Sequence, residues 1–91
     1  MDFILYRVKY IRDQEGLNRF GARLRQVRMQ KGLTQEDLAA QSGMEFSQIG
    51  RIERGIINTS LSTVFVLAKT LEVDVRVLFD FSESAPVSAP E

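Results

Sequence analysis

The sequence predicts an all-α domain of five short helices. Three observations carry that reading. Apolar residues recur at three- and four-residue intervals from Phe20 to Leu71, the period of one helix face. Residues that start or stop helices, namely Gly32, Thr34, Gly43, Gly55, Ser60 and Asp74, cut that stretch into short pieces. The chain has 91 residues, which fits one domain with one small core. At 44% apolar and 26% charged, its composition is that of a globular protein, neither disordered throughout nor a membrane protein.

The elements follow in order. Residues 3–11 are rich in β-branched and aromatic side chains. Tyr6, Val8 and Tyr10 alternate with Arg7 and Lys9, the period of a strand or extended arm. Ile4, Val8 and Ile11 also share a helix face, so both conformations stand. A lone strand needs a mate, and the same segment of a second subunit would supply it. Asp13 to Gly16 reads as a turn. Residues 1–17 are thus expected to be an N-terminal extension that serves as a dimer arm. The helical domain is expected over residues 18–81.

Its first helix starts at Asn18, with Phe20, Leu24, Val27 and Lys31 on one face and Arg19, Arg23 and Arg25 elsewhere. Gly32 ends it. Thr34 caps a second helix, Gln35 to Ser42, and Asp37 completes a capping-box pattern. Leu38 and Ala39 face inward, and Gly43 stops the helix. A third helix runs from about Glu45 to Gly55, with Met44, Ile49 and Ile52 facing one way. After a loop, Ser60 caps a fourth helix carrying Leu61, Val64, Leu67, Ala68 and Leu71. Asp74 caps a last short helix with Val75, Leu78 and Phe79. The Ser, Ala, Pro and Glu of residues 82–91 predict a disordered tail.

Composition also bounds function. There is no Cys and no His, which removes disulfides, thiolate zinc sites and most nucleophile–base pairs. An enzyme, a metal site or a cofactor is therefore not expected. No segment has the pattern of a signal peptide or a membrane span, so a soluble cytoplasmic protein is expected. Lys plus Arg and Asp plus Glu both number 12. That balance hides an asymmetry. Residues 1–31 carry a net +5, residues 32–60 a net −2 and residues 61–91 a net −3. The front half is basic, and a basic face suits a polyanion.

Two short helices joined at Gly43 have helix-turn-helix geometry. The turn needs a residue that tolerates positive φ. Ala39 is small where the two helices cross. The second of them presents Glu45, Phe46, Ser47, Gln48, Gly50 and Arg51 outward, and an α-helix fits the major groove of B-DNA.

The order of these residues is specific. Leu24, Arg28, Gly32-Leu33-Thr34-Gln35, Leu38-Ala39 and Gly43 are followed by Ile49 and Ile52-Glu53-Arg54-Gly55, then Leu61, Leu67-Ala68, Leu71, Val73 and Leu78-Phe79. Over residues 18–80 the chain resembles the Cro/C1-type (XRE) helix-turn-helix family. The resemblance implies a compact five-helix, lambda-repressor-like domain that binds operator DNA, usually as a two-fold dimer.

It also implies roles. Gln35 matches a Gln that touches phosphate in the family, against the plainer reading of a passive surface residue. Thr34 is first a cap and second a phosphate contact. Arg51 lies four positions after Ser47 on the same face. Arg is the commonest reader of guanine, so Arg51 is the leading base contact, set against a salt bridge with a nearby acid. Phe46 stands where a polar residue is more usual. Two readings are open for it: packing on a thymine methyl, or folding back onto apolar neighbours. Ser47 shares the first turn, and Gln48 reaches a base edge or a phosphate. Glu45 suits the helix dipole or a cytosine amine. Arg54, Asn58 and Thr59 are phosphate contacts or a solvated surface.

Gly50 costs roughly 1 kcal/mol against Ala in mid-helix. It serves close approach to DNA, room for a neighbour, or nothing. Arg28 and Glu53 match a partly buried ion pair of the family and are assigned to structure. The family often has Pro before the fourth helix, where this chain has Asn58-Thr59-Ser60. The surplus of apolar residues at Phe65, Val66, Val75, Val77, Phe79 and Phe81 predicts a homodimer contact. Two functions are consistent with these features. One is a sequence-specific transcriptional regulator on double-stranded, palindromic operator DNA. The other is an antitoxin-like module that holds a partner protein through residues 1–17 and represses its own operon.

Overall fold

The helices begin on side-chain oxygens that the sequence marks, with one exception. In the computed structural model, which describes residues 11–82, α1 spans Gln14–Gln30, α2 Gln35–Ser42, α3 Phe46–Glu53 and α4 Leu61–Leu71, followed by a 3-10 helix, Val75–Phe79. Asp13, Thr34, Ser60 and Asp74 each accept a backbone N–H in the first turn of their helix. At Thr34 the capping box is complete. Its hydroxyl accepts from the Asp37 N–H at 2.9 Å, and the Asp37 carboxylate accepts from the Thr34 N–H at 2.9 Å. Only α3 starts without a side-chain cap, at Glu45. The described residues contain helices and no strand. The expected arm over residues 1–10 and the tail beyond Ser82 lie outside them.

The first helix starts earlier than expected. Asp13 to Gly16 is not a turn, because Asp13 is an N-cap whose carboxylate accepts from the Gly16 N–H at 3.0 Å. The added turn also has a tertiary reason to form. Gln14 donates to the Gly55 carbonyl at 2.7 Å, and Arg12 donates to the Ile56 carbonyl at 2.7 Å. Both carbonyls follow the end of α3. The first helix therefore begins at Gln14, inside the stretch expected to belong to the extension.

Phe20, Leu24 and Val27 of α1 meet Leu38 and Ala39 of α2, Ile49 and Ile52 of α3, Val64, Leu67, Ala68 and Leu71 of α4, and Leu78 in one core. Eight of these side chains are fully buried, Leu24, Leu38, Ile49 and Leu67 among them. Three expectations fail at its edges. Lys31 is exposed, because α1 ends at Gln30. Leu61 is 68% exposed, since the first turn of α4 projects beyond the core. Arg23, expected on the outer face, is only 4% exposed. Its Nε donates to the Val77 carbonyl at 2.8 Å and its Nη1 to Gln26 at 2.6 Å. The guanidinium thereby satisfies a carbonyl of the 3-10 helix and fastens that helix to α1.

Gly21 sets how closely α1 approaches α3. A Cβ there would fall on the carbonyl oxygens of Ile52 and Glu53, and would lie 2.8 Å from the Glu53 carbonyl carbon. These are backbone atoms and cannot swing aside. Gly21→Ala must push the end of α3 away from α1, and overpacking of this kind costs about 1–3 kcal/mol. Urea unfolding should show a midpoint loss of that size, whereas Ala22→Gly at the exposed neighbour should lose only about 1 kcal/mol of helix propensity.

Candidate nucleic-acid interface

The third helix has a clamped back and an open front. Its back is Ile49 and Ile52 in the core, with Glu53 beside them. The Glu53 carboxylate collects three donors from two other helices. Arg28 of α1 gives its Nε to Oε2 at 2.6 Å and its Nη2 to Oε1 at 3.0 Å. Gln35 of α2 gives its Nε2 to Oε1 at 2.9 Å. The remaining Arg28 nitrogen, Nη1, donates to the Leu33 carbonyl at 2.8 Å, just before α2. The two charged side chains are nearly removed from water, at 9% and 2% exposure. A two-pronged, charge-assisted pair of this kind fixes direction as well as distance. It orients α3 against both α1 and the start of α2.

The turn between α2 and α3 is made by Gly43 at φ +77°. Its N–H and that of Met44 both bond to the Ala39 carbonyl, at 3.0 and 3.1 Å. That closure lets α3 cross Ala39, whose small side chain is buried beneath it.

The front of α3 carries Phe46, Ser47, Arg51 and Arg54, all exposed, and Gln48, half-buried. Phe46 is 52% exposed. It borders an open cleft of about 510 Å³ with Met29, Leu33, Thr34 and Gln35. Phe46, Gly50 and Arg54 form one stripe at four-residue spacing. The Arg54 Nη1 lies 3.1 Å from where a Gly50 Cβ would be, and the Gln35 Oε1 lies 3.8 Å from it. Of the three readings of Gly50, room for a neighbour is the one with a structural basis: the missing side chain is a shelf for the Arg54 guanidinium.

The other candidate residues divide. Thr34 and Gln35 sit at the start of α2, on the same side as the front of α3 and on the rim of the cleft with Phe46. One N–H of the Gln35 carboxamide is committed to Glu53, which leaves the other for an outside partner. Asn58 is exposed in the loop after α3. Thr59 is half-buried, and its hydroxyl oxygen is buried without a hydrogen-bond partner, facing the protein and not the solvent. Sequence reasoning missed the second ligand of the ion pair, Gln35, and the notch at Gly21. A mid-helix Gly between Phe20 and Leu24 was the available signal for the latter.

The helix-turn-helix family model matches residues 24–78, more than half of the chain. The chain belongs to this family. The structure of the restriction-modification controller protein C.AhdI from Aeromonas hydrophila is similar to this helix-turn-helix fold at a TM-score of 0.71, with 45% identity over 72% of this chain and 96% of that one. The controller protein C.Esp1396I, solved as a tetramer with its natural 35 base-pair operator, is similar at a TM-score of 0.65, with 34% identity over 70% of this chain and 84% of that one. Antitoxin HipB of Escherichia coli O6:H1 is 35% identical over 65 residues, 71% of this chain and 68% of its own. Among the described residues of this helix-turn-helix protein no helix is long and apolar enough to cross a membrane.

Two outcomes follow from the clamp and the cap. Arg28→Met leaves the Glu53 carboxylate buried without its cation and should cost about 3–5 kcal/mol, while Arg28→Met with Glu53→Leu should recover most of it. Chemical denaturation of both variants checks this. The Thr34 N–H, and then its hydroxyl, hold the Asp37 carboxyl below its ordinary value of 3.8. A carboxyl that is more acidic folded than unfolded adds stability above the unfolded value and loses it as pH falls through the folded one. The wild type should therefore lose stability below about pH 4 more steeply than Asp37→Asn, measured by urea midpoints across that range.

Proposed function

We propose that the chain is a sequence-specific DNA-binding transcriptional regulator that acts as a dimer in the cytoplasm and performs no catalysis. The observation that carries this reading is the two-faced third helix. Its back is locked by Glu53, and its front offers Arg51 and Ser47 one turn apart with nothing of the described chain over them. Major-groove reading needs that rigidity, because hydrogen bonds to base edges discriminate only when the donor is held in place. In this reading Phe46, Ser47, Gln48 and Arg51 meet base edges. Thr34, Arg54 and Asn58 meet phosphates, joined by the main-chain N–H of Gln35 at the positive end of α2. Thr59 is left out because its hydroxyl is turned inward. Operator binding by the similar C.Esp1396I supports the partner class.

The dimer reading rests on a second face. Leu61, Phe65, Val66, Phe79 and Phe81 are all exposed. Phe20, Phe79 and Phe81 form a ring series, with centroids 5.3 and 6.4 Å apart. Exposed large apolar side chains in this number are a common mark of association. Two-fold pairing would set two α3 helices about 34 Å apart, one turn of DNA.

The similarity to antitoxin HipB favours one further reading, a module that captures a partner protein and represses its own operon. Titration of duplexes selected from a random pool separates the two. A sequence preference, with affinity that falls as salt rises, supports the regulator. Tight capture of a co-encoded protein, with DNA binding confined to the module's own operon, supports the module. Within the regulator reading, Arg51→Ala should lose about 1–3 kcal/mol on the selected duplex and little on scrambled DNA. Equal loss on both would make Arg51 a phosphate contact.

A further inference from the structure

Phe46 is a large apolar side chain at the first position of α3. It is not a core residue. Core side chains of α3 such as Ile49 and Ile52 are at most 2% exposed, and Phe46 is 52% exposed. Nor has it folded back into a closed pocket: the cleft beside it is open, and its neighbour Met29 is equally 52% exposed. So the leading turn of the helix, the part that reaches furthest into a groove, ends in an aromatic ring without a hydrogen-bonding atom.

The duplex offers such a ring few partners. In the major groove adenine, guanine and cytosine present only donors and acceptors, and the one apolar group is the 5-methyl of a pyrimidine. A phenyl ring against an amine or carbonyl edge strips water from a polar group and returns no hydrogen bond. Against a methyl it buries two apolar surfaces. The preference is thus built from gain on one base and loss on the others. Arg54 reinforces the placement. It shares the Phe46 stripe, and its guanidinium lies back against Gly50, one turn from Phe46, where it can meet a backbone phosphate while the ring meets a base.

We propose that Phe46 is a specificity-determining residue that reads the 5-methyl group of a pyrimidine in each half-site. The proposal rests on the regulator reading above and adds the base chemistry at one position. The methyl can come from thymine or from 5-methylcytosine, and one experiment distinguishes them.

A duplex selected by the protein from a random pool is remade with each thymine of a half-site replaced singly by deoxyuridine, which removes only the methyl. The wild type should lose about three- to fivefold in affinity at one position, the worth of roughly one buried methyl. Phe46→Ala should bind the two duplexes equally, and Phe46→Leu should keep part of the difference. At that position a cytosine paired with guanine is then compared with 5-methylcytosine. Tighter binding of the methylated form shows that the methyl alone is read, and indifference confines the reading to thymine. Equal affinity for thymine and deoxyuridine at every position overturns the proposal, as does a deoxyuridine effect that persists in Phe46→Ala. Absence of any sequence preference overturns the regulator reading instead.

Discussion

The fold depends on one carboxylate. Glu53 sits at the last position of α3 and is almost completely removed from water, so it must be neutralised where it lies. Arg28 supplies the countercharge and Gln35 a further hydrogen bond, from two different helices. Only one arrangement of α1, α2 and α3 brings all three side chains together. The pair thus contributes geometry more than net stability, which a well-packed apolar substitute would match. Gly21 makes the arrangement attainable by letting α1 come against the carbonyls that end α3. Gln14 and Arg12 then occupy the carbonyls of Gly55 and Ile56 just beyond. The end of α3 is therefore held by ion pair, notch and hydrogen bonds, while its opposite face carries no load in the described fold.

Much of this was legible in the sequence, for reasons that are local. Thr34, Gly43, Ser60 and Asp74 act within one turn of their own position, and a cap or a positive φ is decided there. The core stripes of α1 and α4 were legible because burial follows helical period. What failed depends on distant partners. Arg23 looks like a solvated base until Val77, 54 residues later, presents a carbonyl to it. Gln35 has a partner that its local sequence does not announce, because Glu53 lies 18 residues away. The start of α1 was placed four residues late, although Leu17, Phe20, Gly21 and Leu24 continue the helical spacing backward. Gly16, which read as the end of a turn, disguised it. Leu61 matched the period yet stands outside the core, because a period gives a face and not an edge. For the candidate interface, the stretch from Phe46 to Arg54 was legible as a surface. The inward hydroxyl of Thr59 was not, since a loop has no period to read.

The two exposed apolar features differ in kind. Leu61, Phe79 and Phe81 border one cleft with Phe20, an apolar surface suited to a partner of similar chemistry. Phe46 is a single ring at the leading turn of α3, on the rim of a cleft that it shares with Met29, Leu33 and Thr34, and it suits a single methyl in a polar groove. This division fits a chain whose overall charge is balanced. The +5 of residues 1–31 is set against acids elsewhere, so long-range attraction to DNA is modest. Discrimination then has to come from short-range fit on α3, and short-range fit is what a rigidly clamped helix provides.

The central claim is that the front of α3 is the surface that meets DNA. Backbone amide spectra of the isotopically labelled protein, recorded during titration with a selected duplex, test it most directly. The largest shifts should map to Thr34, Gln35, Phe46, Ser47, Arg51 and Arg54, with Glu53 and Gly21 nearly still. Shifts concentrated instead on Phe65, Phe79 and Phe81, with α3 unmoved, would contradict it.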